Sequence, residues 1–132
     1  AESMVEAFNS VTYKDATYHK TALEALNEVR TNAGMPLITT TNKDEFIRAL
    51  RNEWRVEFAF EDHRFWDIRR WKIGDSTQKE LYGVTITKTA TGLSFQKTLY
   101  ENRSWTDRMY LYPIPQEELF KNKNLYPQNT GW

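Results

Sequence analysis

The 132-residue sequence predicts a mainly α-helical fold with one small β-hairpin and long loops. Two segments carry apolar residues at the three- and four-residue spacing of a helix, and a third alternates apolar and polar residues as a strand does. The other stretches are rich in Asn, Pro and Gly, which favour turns. A chain of this length has room for one domain with one hydrophobic core, so residues 1–132 are expected to form a single region.

The first helix is predicted from Tyr18 to Ala33, where apolar side chains recur at helical spacing. Residues 1–17 are polar with scattered aromatic side chains and predict an irregular lead-in to that helix. Gly34 follows at the position where a left-handed residue often ends a helix, and Pro36 prevents continuation.

A second helix is predicted to begin after Asn42, whose side chain is suited to cap the first turn. Glu45 follows three residues later, as in a capping box. The apolar pattern extends to Trp71, and residues 74–76 (Gly-Asp-Ser) are expected to end the helix. The sequence therefore predicts one long, continuous second helix.

A hairpin is predicted in the second half of the chain. Apolar and polar residues alternate from Val84 to Lys88, residues 89–92 have turn composition, and β-type composition resumes from Leu93 to Tyr100.

The C-terminal segment predicts little regular structure. Residues 108–114 are expected to be extended, and Pro115 is suited to begin a short helix from Gln116 to Lys121. Residues 122–132 are rich in Asn, Pro and Gly and predict an irregular tail.

Composition excludes several classes of function. Eighteen basic residues balance eighteen acidic ones, so no overall charge attracts nucleic acid. The absence of Cys excludes disulfides, thiolate nucleophiles and zinc knuckles. No apolar run approaches the roughly 20 residues that a membrane helix needs. The 14% of aromatic residues indicates either an aromatic core or rings that stack on ligands such as sugars.

The acidic residues of the second helix are the main candidates for chemistry. Glu53, Glu57 and Glu61 share the apolar face of the predicted helix with Arg64. Like charges at this spacing repel, and a buried carboxylate needs a partner. The cluster is therefore a metal or acid–base site, or a buried network of ion pairs that includes Arg64 and Arg30.

The ion-pair network is the favoured interpretation. A transition-metal site usually includes histidines, and the sequence has two, His19 and His63. A glycosidase needs two carboxylates across an open cleft, whereas carboxylates stacked on an apolar helix face would be sealed. We expect Glu57 or Glu61 to bridge Arg30 to the second helix.

Three segments resemble the SusD/RagB family of outer-membrane lipoproteins. Glu53–Trp71, EWRVEFAFEDHRFWDIRRW, resembles the family signature, although Trp54 and Asp62 stand where the family has Arg and Gly. Ala25–Pro36, ALNEVRTNAGMP, and Tyr110–Trp132, YLYPIPQEELFKNKNLYPQNTGW, resemble two further family segments in the same order. Together they cover most of the chain from about residue 18 onward.

The resemblance implies a fold and a role. It implies that residues 1–132 are the C-terminal portion of a SusD-like α-helical, tetratricopeptide-like fold, with the N-terminal helical scaffold and a lipidated Cys upstream. Such a protein is a non-catalytic lipoprotein on the outer-membrane surface of Bacteroidetes-type bacteria. It binds oligosaccharides or polysaccharides and delivers them to a TonB-dependent SusC-like transporter. No cofactor is expected, and the charge balance and the scarcity of histidine predict no nucleic-acid partner and no metal site.

The resemblance also implies a structural role for the charged residues. They would form an ion-pair network of Arg30, Glu53, Glu57, Glu61, Arg64, Asp67 and Arg70. No glycan-binding residue follows from the family pattern, and Trp105 and Tyr100, near the hairpin, are the candidates from their aromatic character. Two alternatives remain: a glycoside hydrolase fragment that uses the helix carboxylates, and a helical module that binds only protein.

Overall fold

The computed structural model describes residues 1–132 and confirms the predicted mainly helical class with a two-stranded hairpin. The chain divides into two compact units, Ala1–Glu61 and Asp62–Trp132. None of the helices is long and apolar enough to span a membrane. The elements are α1 (Glu2–Phe8), α2 (Ala22–Asn32), α3 (Lys43–Glu57), α4 (His63–Arg70), α5 (Gly74–Gln78), β1 (Glu80–Thr89), β2 (Gly92–Asn102) and α6 (Gln116–Lys121), with 3-10 turns at Asp107–Tyr110 and Lys123–Leu125.

The core of the first unit joins α1, α2 and α3. Its buried side chains are Val5, Val11, Ala22, Leu26, Phe46 and Leu50. The prediction of an irregular segment over residues 1–17 was wrong for α1, because burial of Val5 in this core stabilises a helix that is too short to form alone.

Helix α2 begins with a capping box that the sequence reading missed. The hydroxyl of Thr21 accepts a hydrogen bond from the backbone N–H of Glu24 at 3.0 Å, and the carboxylate of Glu24 accepts one from the N–H of Thr21 at 2.7 Å. The bond from the Thr21 backbone lowers the pKa of Glu24. Gly34 follows the helix with a φ of 67°, as its position predicted.

The predicted long second helix is broken in two, which corrects the sequence reading. Helix α3 is capped by Asn42 as expected, but it ends at Glu57, and α4 begins at His63. Between them Phe60 and Asp62 have φ values of 66° and 58°, a left-handed conformation that no α-helix can continue through. Asp62 stands where the family pattern has Gly, the residue that adopts this conformation without strain.

The second unit also departs from the predicted elements in two places. Gly74 starts α5 where the sequence predicted a helix end, and the 3-10 turn Asp107–Tyr110 overlaps the start of the stretch 108–114 that was predicted to be extended. The short helix α6 has the predicted bounds and buries Leu119. Gly74 is required by packing, because a Cβ added there would lie 2.0 Å from Cε2 of Trp105.

The hairpin is confirmed, with longer strands than predicted. Opposite residues such as Ile86 and Phe95 share a face, and the two strands together form one polar and one apolar face. The more apolar face carries Tyr82, Val84, Ile86, Leu93, Phe95 and Leu99, whose exposed fractions lie between 50% and 65%, together with Lys88 and Lys97. A register shift at Leu81/Tyr82 leaves Tyr100 outside the paired register.

Candidate functional site

The buried ion pair of the first unit joins Arg30 of α2 to Glu53 of α3. The guanidinium Nη1 of Arg30 contacts Oε2 of Glu53, and the two side chains are only 14% and 8% exposed. The Nε of the same arginine donates to the carbonyl of Pro36 at 2.6 Å. The side chain of Arg30 therefore bonds both α3 and the loop after α2. The glutamate that bridges to it is Glu53, one turn before Glu57, and not Glu57 or Glu61 as predicted.

The other two glutamates of the predicted face are in a different environment. Glu57 is the last residue of α3, Glu61 lies in the turn that follows, and both are exposed. Because the helix ends at Glu57, the three carboxylates do not form one buried ladder.

A second charged cluster surrounds Asp67 in α4. This carboxylate is 2% exposed, and its Oδ2 lies 2.8 Å from Nδ1 of His63. Its Oδ1 accepts a hydrogen bond from Nη2 of Arg70 at 3.1 Å. Arg64, in the first turn of the same helix, is half-buried. The charged residues of α4 thus include one buried acid held by two neighbours one turn away.

Amide side chains hold the other two family-like segments in place. Asn27 donates to the carbonyl of Ile38 and accepts from its N–H, both at 2.8 Å. In the second unit Gln128 makes the same pair of bonds with Ile114, also at 2.8 Å each. Each amide side chain bonds both the N–H and the carbonyl of one loop residue, as a neighbouring strand would. Asn27 and Gln128 therefore satisfy backbone groups that an irregular segment would otherwise leave unpaired.

The two aromatic candidates differ in exposure. Trp105 is half-buried, packs edge-on against Tyr110 with ring centroids 5.3 Å apart, and lies against Gly74. It is a packing residue of the second unit and presents no free face comparable to that of Tyr100, which is 81% exposed. Tyr100 therefore meets the first geometric requirement of a ring that stacks on a sugar.

Sequence reasoning missed an arginine–aromatic cluster around Arg69. Its Cζ lies 3.6 Å from the ring centroid of Phe65, and its Nη1 donates to the carbonyl of Phe65 at 2.9 Å. The same Cζ lies 5.5 Å from Trp105 and 5.7 Å from Tyr112. The four-residue spacing of Phe65 and Arg69 on one helix was the local signal for this contact.

A cleft is open to solvent in each unit. The first, of about 340 Å³, is lined mainly by apolar side chains of α2 and α3, with Glu53 and Glu57 at its wall. The second, of about 780 Å³, lies among the end of α4, the 3-10 turn at 107–110 and the tail. We call it the polar cleft; its lining residues are Arg69, Lys72, Asp75, Asp107, Arg108, Tyr110, Leu111, Thr130 and Gly131.

Residues 1–132 contain no group of three His, Cys, Asp or Glu side chains placed to hold a metal ion. The buried carboxylates, Glu53 and Asp67, are both engaged in ion pairs. These features define a mainly helical region that is stabilised by internal ion pairs and by hydrogen bonds from side-chain amides to loop backbone. It has an exposed hairpin and an open polar cleft.

The chain belongs to the SusD family, whose family model matches residues 3–132. It is 36% identical over 90 residues to SusD-like protein P2 of Formosa agariphila, an alignment that covers 68% of this chain and 15% of that protein. A crystal structure of a SusD-like protein from Bacteroides fragilis matches with a TM-score of 0.70 and 39% identity. That match covers 85% of this chain and 21% of the solved chain.

The family defines the general class of function. Proteins of the SusD family are in general non-catalytic, glycan-binding proteins of the outer-membrane surface that work with SusC-like transporters. The chain spans 15% and 21% of the lengths of the two SusD-like proteins it matches.

Proposed function

We propose that residues 1–132 form the C-terminal region of a surface glycan-binding protein that delivers oligosaccharides or polysaccharides to a TonB-dependent SusC-like transporter. The observation that carries this proposal is the family match over residues 3–132. In this proposal a helical scaffold and a lipid anchor precede the chain in the longer protein.

The charged residues have a structural part in this function. We propose that charged pairs hold the helices within each unit: the buried pair Arg30–Glu53 in the first, and the buried Asp67 with the half-exposed Arg70 in the second. Glu57 and Glu61 of the predicted network are exposed and lie outside both pairs. A carboxylate that is buried and paired with arginine is a poor general acid or nucleophile, because its oxygens are already engaged and burial excludes substrate. This supports binding without catalysis.

The test is calorimetric titration of a panel of neutral and charged polysaccharides and oligosaccharides, run on this chain and on the longer protein proposed to contain it. We expect the longer protein to bind at least one glycan and to release no new reducing ends from it. Tyr100→Ala reports whether the exposed ring of this chain contributes to binding. Hydrolysis of a bound glycan would contradict the proposal, as would absence of binding across the panel.

Delivery to the transporter is tested separately. We expect the longer protein to co-purify with a SusC-like transporter from the same organism in detergent extracts of the outer membrane. Failure to co-purify, with glycan binding intact, would restrict the proposal to glycan capture.

A further inference from the structure

The polar cleft carries an excess of positive charge. Arg69, Lys72 and Arg108 line it together with the carboxylates Asp75 and Asp107. The carboxylate of Asp75 is already paired with Nζ of Lys79 outside the lining. The hydrogen bond to Asp75, then the charge of Asp75 and a smaller contribution from Asp107, raise the pKa of Lys79. Asp75, one of the two acids of the cleft, is therefore paired with a lysine that does not line it.

The three cations of the cleft have no carboxylate partners of their own. Arg69 stacks on the ring of Phe65 at 3.6 Å, and its Nε is buried without an acceptor. Arg108 lies over the ring of Trp132 at 4.8 Å. A cation–π contact leaves the positive charge available to a third group. Lys72 is exposed, so its ammonium is free to move toward a ligand.

The walls of the cleft are held by contacts within the second unit. Nε1 of Trp132 donates to the carbonyls of Arg108 and Leu111, each at 3.0 Å. A Cβ added to Gly131 would lie 2.8 Å from Cβ of Arg108, so the tail approaches the 3-10 turn as closely as a glycine permits. The backbone N–H of Asp75 donates to the hydroxyl of Tyr110 at 3.3 Å. These contacts preform the cleft before any ligand enters.

We propose that the polar cleft binds the carboxylate or sulfate group of an acidic saccharide, with Lys72 and Arg108 supplying the charge. This inference rests on the proposed glycan-binding function and specifies its ligand class. A guanidinium matches the paired oxygens of a carboxylate or sulfate, and an ammonium adds a mobile point charge. The volume of about 780 Å³ lies within the range of roughly 300–1,000 Å³ that is usual for small-molecule clefts.

The experiment compares four probes by calorimetric titration of the full chain and of the longer protein. The probes are tetragalacturonic acid, a sulfated galactose tetrasaccharide, a neutral galactose tetrasaccharide and inorganic sulfate. We expect at least one acidic tetrasaccharide to bind about tenfold or more tightly than the neutral one. Its affinity should fall as salt is raised, because ions screen the charge contacts of an open cleft. The two acidic probes distinguish a carboxylate from a sulfate ester as the group recognised.

Variants test whether the binding takes place in this cleft. Lys72→Gln removes the charge and keeps an unbranched polar side chain that is one atom shorter, and we expect it to weaken binding of the acidic tetrasaccharide by about three- to tenfold. Arg108→Gln should have a similar effect and serves as the second variant. Lys123→Gln removes the same charge from an exposed lysine outside the cleft and should leave the affinity unchanged.

Each outcome decides the proposal. Equal binding of neutral and acidic tetrasaccharides, or full affinity in both cleft variants, would overturn the inference and leave glycan binding standing. Binding of inorganic sulfate as tightly as the acidic tetrasaccharides would identify a site for free anions and overturn the saccharide assignment. Absence of binding for all three tetrasaccharides, in both proteins, would overturn this inference, whereas the proposed function would fall only if the wider glycan panel also showed no binding.

Discussion

Replacement of Arg30 by Met tests the ion pair that joins α2 to α3. Methionine retains much of the apolar stem of arginine, so the change mainly removes the charge and its hydrogen bonds. Glu53 would then remain buried, at 8% exposure, without its counterion. Loss of one partner from a buried pair costs about 3–5 kcal/mol. The lost bond to the carbonyl of Pro36 adds about 1 kcal/mol.

This loss is large relative to the whole stability of a domain, which is about 5–15 kcal/mol. The assay is urea denaturation followed by far-ultraviolet circular dichroism, with the wild-type chain measured under the same conditions. We expect the Arg30→Met midpoint to fall sharply or the chain to be partly unfolded in buffer. Hydrogen exchange of α2 and α3 amides gives a second readout if no clear transition remains.

The double variant Arg30→Met/Glu53→Leu separates a buried charge from a packing defect. Removal of both charges leaves no unpaired carboxylate, so we expect it to recover most of the stability lost in the single variant. A loss below about 1 kcal/mol in the single variant would show that Glu53 is solvated, and the argument from burial would be wrong. A double variant as unstable as the single one would assign the effect to packing.

Three further changes test other contacts. Asp67→Asn should destabilise the chain by about 2 kcal/mol in urea denaturation, because the buried group loses its charge-assisted hydrogen bonds. Gly74→Ala should cost about 1–3 kcal/mol and alter the near-ultraviolet dichroism, because the new methyl group displaces the ring of Trp105. In a carboxyl-detected NMR titration, Glu24 should show a pKa below its ordinary value, and Thr21→Ala should raise that pKa only in part, because the variant loses the hydroxyl but keeps the backbone N–H that contributes most. Since the folded pKa is the lower one, the stability from this capping box is present above the ordinary pKa and lost as the pH falls through the lowered one.

Matched controls accompany these three changes. Glu61→Gln alters an exposed acid of the turn and should change stability by less than about 0.5 kcal/mol, in contrast to Asp67→Asn. Gly34→Ala meets no atom within 4 Å and should show only the backbone cost of a left-handed residue, about 1–2 kcal/mol, with no change in the near-ultraviolet spectrum. Equal spectra for wild type and Gly74→Ala would contradict the close packing of Trp105.

The elements that the sequence predicted well depend on local signals. Helix α2 and the hairpin combine a periodic pattern with turn residues such as Gly34, and α6 was predicted from Pro115 at its start. The prediction that the helix continues through residues 58–62 was wrong. The apolar residues there have helical spacing, but the backbone at Phe60 and Asp62 is left-handed. The Gly of the family pattern at position 62 was the signal that could have revealed the break.

The contacts of the candidate site were harder to predict from the sequence. The predicted residues Arg30 and Glu53 lie 23 positions apart, and their pairing required the angle between two helices that no local pattern specifies. The polar cleft joins Lys72 to residues near 108 and 131, none of which forms a motif on its own. Long-range contacts of this kind depend on chain topology, which a single sequence does not display.

The sequence by itself determined the helical class, the hairpin, the Asn42 cap of α3, the bounds of α6, and the likeness to the SusD family, because all of these follow from short-range patterns of residue type. Only the tertiary structure decided which glutamate meets Arg30, that α1 folds against Val5 and its neighbours, and that three cations share one cleft. The physical reason is that burial and ion pairing depend on distances between segments, and those distances are fixed when the helices pack together.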